Sequence, residues 1–211
     1  MPAARSRKGF PCLSGGGTVK TIGITGRSGC GKSSVTALLR QKGYPVVDGD
    51  ELSRQILQKG SPCLAQLAGA FGEDILDEEG NLRRRLLADR AFATPEGTET
   101  LTSITHPEIY RRMEAHRQAA AAAGHELYFI DGAVIVGTPF EALCQKLILV
   151  TAPFEESVRR ICARDGISPE MAARRLQAQP PQAELEKQVD FILNNDGTPD
   201  QLAQKVEALL K

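Results

Sequence analysis

Tryptophan is absent and aromatic residues make up only 5% of the chain, which leaves little from which to build a base-stacking surface for nucleic acid. Neither sign of charge is in excess, since 26 Lys and Arg balance 26 Asp and Glu. A zero formal charge argues against a basic field for nucleic acid and an acidic face for a basic partner, so any charge-driven function is local. Three histidines and five widely spaced cysteines with no CxxC pair argue against a structural zinc site or a disulfide framework, and for a reducing cytoplasm. No apolar run reaches membrane-spanning length, and the basic N-terminus has no apolar stretch before its glycine run, so no membrane partner is expected. Residues 1 to 17 read as a disordered extension or an upstream start and are set apart from the fold.

What is present is alternation. At 211 residues the chain suits one domain with a subdomain or lid. Val19 to Thr25 is rich in Val, Ile and Thr and reads as a strand; "KSSVTALLRQKG" then has helical spacing, with Val35, Leu38 and Leu39 on one face and Gly43 as the stop. "YPVVDGD" predicts a second short strand and "ELSRQILQKG" a second helix. Residues 62–124 keep helical periods throughout and predict a helical insertion. "ELYFID", "QKLILV" and "VDFIL" are later short strands, with helices over 154–163, 168–178, 182–188 and 199–210. Strands that alternate with helices predict an α/β fold around a parallel β-sheet core.

"TGRSGCGKSS" follows the first strand and fits G-x-x-x-x-G-K-[ST] as Gly26, Gly31, Lys32 and Ser33, in the required place between a strand and a helix. Phosphate oxygens must be approached by bare backbone amides, which a Cβ would obstruct, while a helix N-terminus offers unpaired N–H groups and the positive end of a dipole. The cradle therefore comprises Gly26, Arg27, Ser28, Gly29, Cys30, Gly31, Lys32, Ser33 and Ser34. Lys32 supplies a mobile cation for the β- and γ-phosphates of ATP, and the Ser33 hydroxyl is a hard oxygen ligand for Mg²⁺. Cys30 fits as a small filler or, beside Lys32 and a helix N-terminus, as a thiol of lowered pKa.

A P-loop identifies the phosphate donor and leaves the acceptor open. Asp48 and Asp50 leave the second strand at the sheet edge where α/β folds bind ligands, and a carboxylate there can accept the proton of an attacking hydroxyl. The same "DGD" is also good helix-capping sequence. Arg54, one turn beyond Asp50, suits a substrate phosphate or plain solvent. Asp131, ending "YFID", is either a holder of the Mg²⁺ water shell or a turn carboxylate.

The chain resembles the dephospho-CoA kinase family from "TIGITGRSGCGKSSVTALLRQKGYPVVDGDELSRQIL" onward. The likeness continues through "GSPCLAQLAGAFGEDILDEEGNLRRRLLADRAFA", "LTSITHPEIYRRM", "VTAPFEESVRRICARDGISPEMAARRLQAQ" and "VDFILNNDG". The resemblance implies a P-loop three-layer kinase domain over 18–211, an acceptor-binding role for the helical insertion and a helical lid over 155–188. It implies transfer of phosphate from ATP to the ribose 3′-hydroxyl of dephospho-CoA, the last step of coenzyme A synthesis. By the same resemblance Asp50 is the base, and Asp48, Arg54 and His106 are acceptor-side contacts. Arg164 is the lid arginine that neutralises charge during transfer, and Asn195 and Gly197 lie near the adenine.

Without the resemblance, His106 before Pro107 is a helix-boundary or core histidine, and Arg159, Arg160, Arg174 and Arg175 form a solvated helix face. The chain departs from the family pattern at "DGAVIVG", with Ala133 in a proline position and Gly137 in place of a glutamate, and at "AQPPQAE" in the lid. Arg27 stands where glycine is common. A related kinase with another hydroxyl acceptor, or a nucleotide-binding paralogue without turnover, remains an alternative. Partners are expected to be a small-molecule substrate alone, on a monomer or weak homo-oligomer.

Overall fold

The computed structural model describes residues 19–132 and 135–210. The expectations for residues 1 to 17 and for Ala133 lie outside the described residues. The chain divides into two compact units: the described residues up to Val47 with those from Arg117 onward, and Asp48–His116.

The first unit contains the sheet. Its strands are β1 (Lys20–Thr25), β2 (Val46–Asp48, whose last residue opens the second unit), β3 (Leu127–Asp131), β4 (Lys146–Thr151) and β5 (Phe191–Asn194). Their spatial order is β2-β3-β1-β4-β5, and β1 pairs in parallel with β3 and β4, as does β4 with β5. Every residue of β3 is buried, as are the last five of β4, which is the continuous apolar run required of parallel strands covered on both faces. Helices α1 (Lys32–Gln41), α6 (Phe154–Asp165), α7 (Pro169–Gln177), the short α8 (Gln182–Glu186) and α9 (Pro199–Leu209) follow the strands. Val35 and Leu39 of α1 and Leu202 and Val206 of α9 close over Ile22, Ile24, Phe129, Ile148 and Val150 of the sheet. Burial of each such side chain stabilises the fold by about 1.5–3 kcal/mol.

Polar ties fix the strand ends. The buried Asp190 carboxylate accepts from Lys146 Nζ and from the Leu147 N–H, both at 2.9 Å, where β4 and β5 begin. At their far ends Thr151 Oγ1 donates to Asn194 Oδ1 at 2.6 Å. Ile161, Ala172 and Leu176 make a separate small core between α6 and α7.

The second unit is helical: α2 (Gly49–Gln55), α3 (Pro62–Phe71), α4 (Arg84–Ala91) and the first part of α5 (Pro95–Ala122). Leu67, Ala68, Ile75, Leu87 and Ala91 form its core. Helix α5 continues through Pro107. The ring removes the N–H that would reach the Ser103 carbonyl. Upstream of it, Thr98, Thr100, Thr102, Ser103 and Thr105 each donate a hydroxyl to a helix carbonyl one turn back. Ile109 and Met113 downstream bury the apolar face that carries the helix on. His106 is therefore a half-buried mid-helix residue rather than a boundary.

Candidate active site

Three helices begin with a serine or threonine that accepts the N3 amide and a proline at N1: Ser61 before α3, Ser168 before α7 and Thr198 before α9, the last a full capping box with Gln201. Helix α1 differs. Its N-cap is Gly31 at φ 90°, no side chain caps it, and its first turn holds no acidic residue. The positive end of the α1 dipole is left for an anion.

The glycine loop before it is fixed by close packing. Gly29, at φ +75°, lies so near α6 that a Cβ would stand 2.4 Å from the Ser157 carbonyl oxygen, a position only glycine fills. A Cβ on Gly31 would meet Asn195 Nδ2 at 2.0 Å. Asn195 is buried and donates through Nδ2 to the Cys30 carbonyl at 2.9 Å, joining the end of β5 to the loop. Arg160 reaches the Gly29 and Cys30 carbonyls at 3.3 Å and pairs with Glu156. The Gln179 side chain accepts the Ser28 N–H at 3.0 Å and donates to Ser28 Oγ at 2.8 Å, while Arg27 donates to the Leu176 carbonyl.

Lys32 Nζ lies 3.2 Å from Asp131 Oδ1 at the end of β3, with both side chains largely buried. Ser33 and Ser34 are exposed at the start of α1, and the Ser33 carbonyl accepts the Thr36 hydroxyl. Burial pushes the Cys30 thiol up from its ordinary value, against the pull of the Lys32 amide and charge, so the thiol is a protonated filler. Gly26 is a further tight point, where a Cβ would meet Cys30 Sγ and the Val150 carbonyl oxygen at 2.6 Å. Gly197 packs beside Gln201 at the start of α9. Arg164, on α6, forms a two-point pair with Asp165, which also receives Arg175.

The remaining candidates lie in the second unit. Asp48 caps α2, its Oδ1 accepting the Glu51 N–H at 3.0 Å. Asp50, in the first turn of α2, is exposed and has no side-chain partner among the described residues. Arg54 is 55% exposed and pairs with Glu51 one turn back. His106 lies on α5, and burial lowers its pKa. Nearby on the same helix Glu108 is drawn down to about 2 by hydrogen bonds from Arg111 and Arg112.

Two residues go beyond the sequence reading, and the first, Arg160, corrects the expectation of a solvated helix face. Arg160 belongs to the loop contacts, whereas its neighbour Arg159 is 71% exposed and pairs only with Glu156, as a solvated face predicts. Gln179 is the second. Both lie 130 or more positions from their partners in the loop, and only the "QPP" step marked the region of Gln179 as unusual.

A parallel sheet whose first strand runs through a glycine loop into an uncapped helix, with a lysine at the first helical position, defines a P-loop nucleotide-binding protein. A sequence profile described as dephospho-CoA kinase matches residues 20–201. The chain belongs to the dephospho-CoA kinase family. It is 39% identical over 192 residues to a dephospho-CoA kinase of Anaeromyxobacter dehalogenans, covering 91% of each chain. Among solved structures it resembles a Thermus thermophilus protein, with TM-score 0.77, 35% identity, and coverage of 92% of this chain and 97% of that one. A dephospho-CoA kinase from Campylobacter jejuni gives TM-score 0.58 at 25% identity, with coverage of 90% and 95%.

Proposed function

We propose that the protein transfers the γ-phosphoryl group of ATP to the ribose 3′-hydroxyl of dephospho-CoA, giving coenzyme A and ADP, the last step of coenzyme A synthesis. The observation that carries this reading is the uncapped, glycine-lined N-terminus of α1 with Lys32 at its head, in a chain whose family match spans residues 20–201. The loop amides and Lys32 bind the phosphates, with Lys32 exchanging its Asp131 contact for the β- and γ-oxygens. The exposed Ser33 hydroxyl and the Asp131 carboxylate are the hard oxygens that would hold a divalent ion. Mg²⁺ held there supplies charge neutralisation between the phosphates.

Asp50 takes the proton of the attacking hydroxyl, for which an exposed and unpartnered carboxylate is suited. Asp48, already committed to capping α2, sets the helix start that presents Asp50, and Arg54 and His106 contact the acceptor. Asn195 and Gly197 lie by the adenine. Arg164 leaves Asp165 to neutralise the transferring group, so the end of α6 within the helical lid over 155–188 rearranges during the cycle. Residues 62–124 bind the acceptor. The enzyme works in the cytoplasm as a monomer or weak homo-oligomer without nucleic-acid or membrane partners.

The test is coupled ADP release with ATP, Mg²⁺ and dephospho-CoA, beside a control lacking acceptor and the Asp50→Asn variant. Acceptor-dependent turnover that falls by about 10²-fold or more in Asp50→Asn is expected, with the melting temperature unchanged. Turnover that ignores the acceptor would overturn the reading and direct attention to "DGAVIVG", where Gly137 replaces the family glutamate.

A further inference from the structure

The outer edge of the glycine loop is held by a side chain with no phosphate to bind. Gln179 and Ser28 meet in two hydrogen bonds of opposite sense, N–H to Oε1 at 3.0 Å and Nε2 to Oγ at 2.8 Å. Ser28 presents one donor and one acceptor, and a primary amide is the side chain that answers both at once. Glutamate has no donor to return, lysine has no acceptor, and asparagine is one methylene short. Both partners are half-buried, so water competes poorly for the pair, whereas Gln177 and Ala178 just before it are exposed.

The backbone around Gln179 is fixed for this contact. Its N–H donates to the Leu176 carbonyl at 3.1 Å, the same carbonyl that receives the Arg27 guanidinium. Pro180 follows and disfavours the helical conformation at Gln179, so α7 stops at Gln177 and the side chain leaves the helix axis. The two prolines that depart from the family's lid pattern thus adjoin the residue that grips the loop.

Resting on the phosphate-cradle reading above, we infer that Gln179 is a positioning residue that holds the P-loop in its nucleotide-binding shape. The Ser28 amide is turned outward to Gln179, and this sets the direction in which the following amides of Gly29 to Ser33 face. A loop already ordered loses less conformational freedom when a polyphosphate binds. The contact therefore acts on nucleotide affinity, through Ser28, rather than on the chemical step.

The experiment measures binding of a fluorescent N-methylanthraniloyl-ATP with Mg²⁺ to the full chain as wild type, Gln179→Ala, Ser28→Ala and the double variant, with steady-state kinetics on each. Gln179→Ala is expected to raise the nucleotide Kd and the KM for ATP by about tenfold while kcat changes by less than about threefold. Ser28→Ala alone, which keeps the backbone bond, raises Kd by about threefold, and adds nothing in the Gln179→Ala background. Effects that simply add, or a Kd that stays within about twofold of wild type or falls, would overturn the inference. If Gln179→Ala does not fold, Gln179→Glu, which keeps an acceptor for the Ser28 N–H but has no donor for Oγ, takes its place, with a rise in Kd of about threefold expected and a Kd within about twofold of wild type overturning the inference. A wild type that binds the nucleotide but leaves dephospho-CoA unphosphorylated would overturn the acceptor assignment and leave the Gln179 result intact; a wild type that binds no nucleotide overturns both.

Discussion

The two units are held by different means. In the sheet unit the polar groups around the loop and strand ends pair across the sequence: Asn195 with Cys30, Gln179 with Ser28, Asp190 with Lys146 and Leu147. In the helical unit most ion pairs among the described residues lie three or four residues apart on one helix, as in Glu51 with Arg54 and Glu108 with Arg111 and Arg112. Arg90 with Asp74 is the longer exception. Long-range pairs in shielded places fix geometry, whereas exposed helical pairs add little to stability and leave their helix faces free for other work. The lesson is that the sheet unit spends its polar side chains on precision and the helical unit keeps some of them available, Asp50 above all.

Three substitutions bear on that contrast. Gly29→Ala should have the largest effect, because φ +75° is strained for alanine and the new Cβ would stand 2.4 Å from the Ser157 carbonyl oxygen. A loss of stability on the order of 3 kcal/mol and weakening of nucleotide binding by more than about tenfold are expected in urea unfolding and titration. Asp190→Ala leaves the Leu147 N–H and the Lys146 ammonium without their carboxylate and should cost about 2–3 kcal/mol. Its counterpart in the helical unit, Glu108→Gln, breaks two ion pairs and should cost less than about 1 kcal/mol. Equal losses from these two would erase the distinction between the units.

The smallest effect concerns pH. Burial holds the pKa of His106 below its ordinary 6.5, so the unfolded chain binds more protons than the folded one in that interval. Its contribution to stability is thus complete above pH 6.5 and is lost as pH falls through the folded value. His106→Gln should flatten the decline in melting temperature between about pH 7.5 and about pH 5.

Much of the fold was legible because its signals are local. The glycine loop, the apolar runs of β1, β3 and β4, and the Ser-Pro and Thr-Pro helix starts all lie within a few residues of what they specify. The path of α5 through Pro107 was less so, since it rests on the burial of Ile109 and Met113 downstream. At the site, Lys32, Ser33 and Asp50 stand in a motif or at a strand end, where residue type alone suggests chemistry. Arg159 and Arg160 are adjacent and chemically identical, and only the packing of α6 against Gly29 turns Arg160 inward. Gln179 was illegible for the same reason: its partner is 151 positions away.

The bond from Asn195 to the Cys30 carbonyl spans 165 positions and carries a consequence for biogenesis. The glycine loop is synthesised long before Asn195, so one of its fastenings waits on chain that follows much later. A ribosome must deliver β5 and Asn195 before the loop can be completed, and contacts of such wide separation form late in folding. During translation, then, the nascent chain carries an unfinished phosphate cradle until Asn195 has emerged.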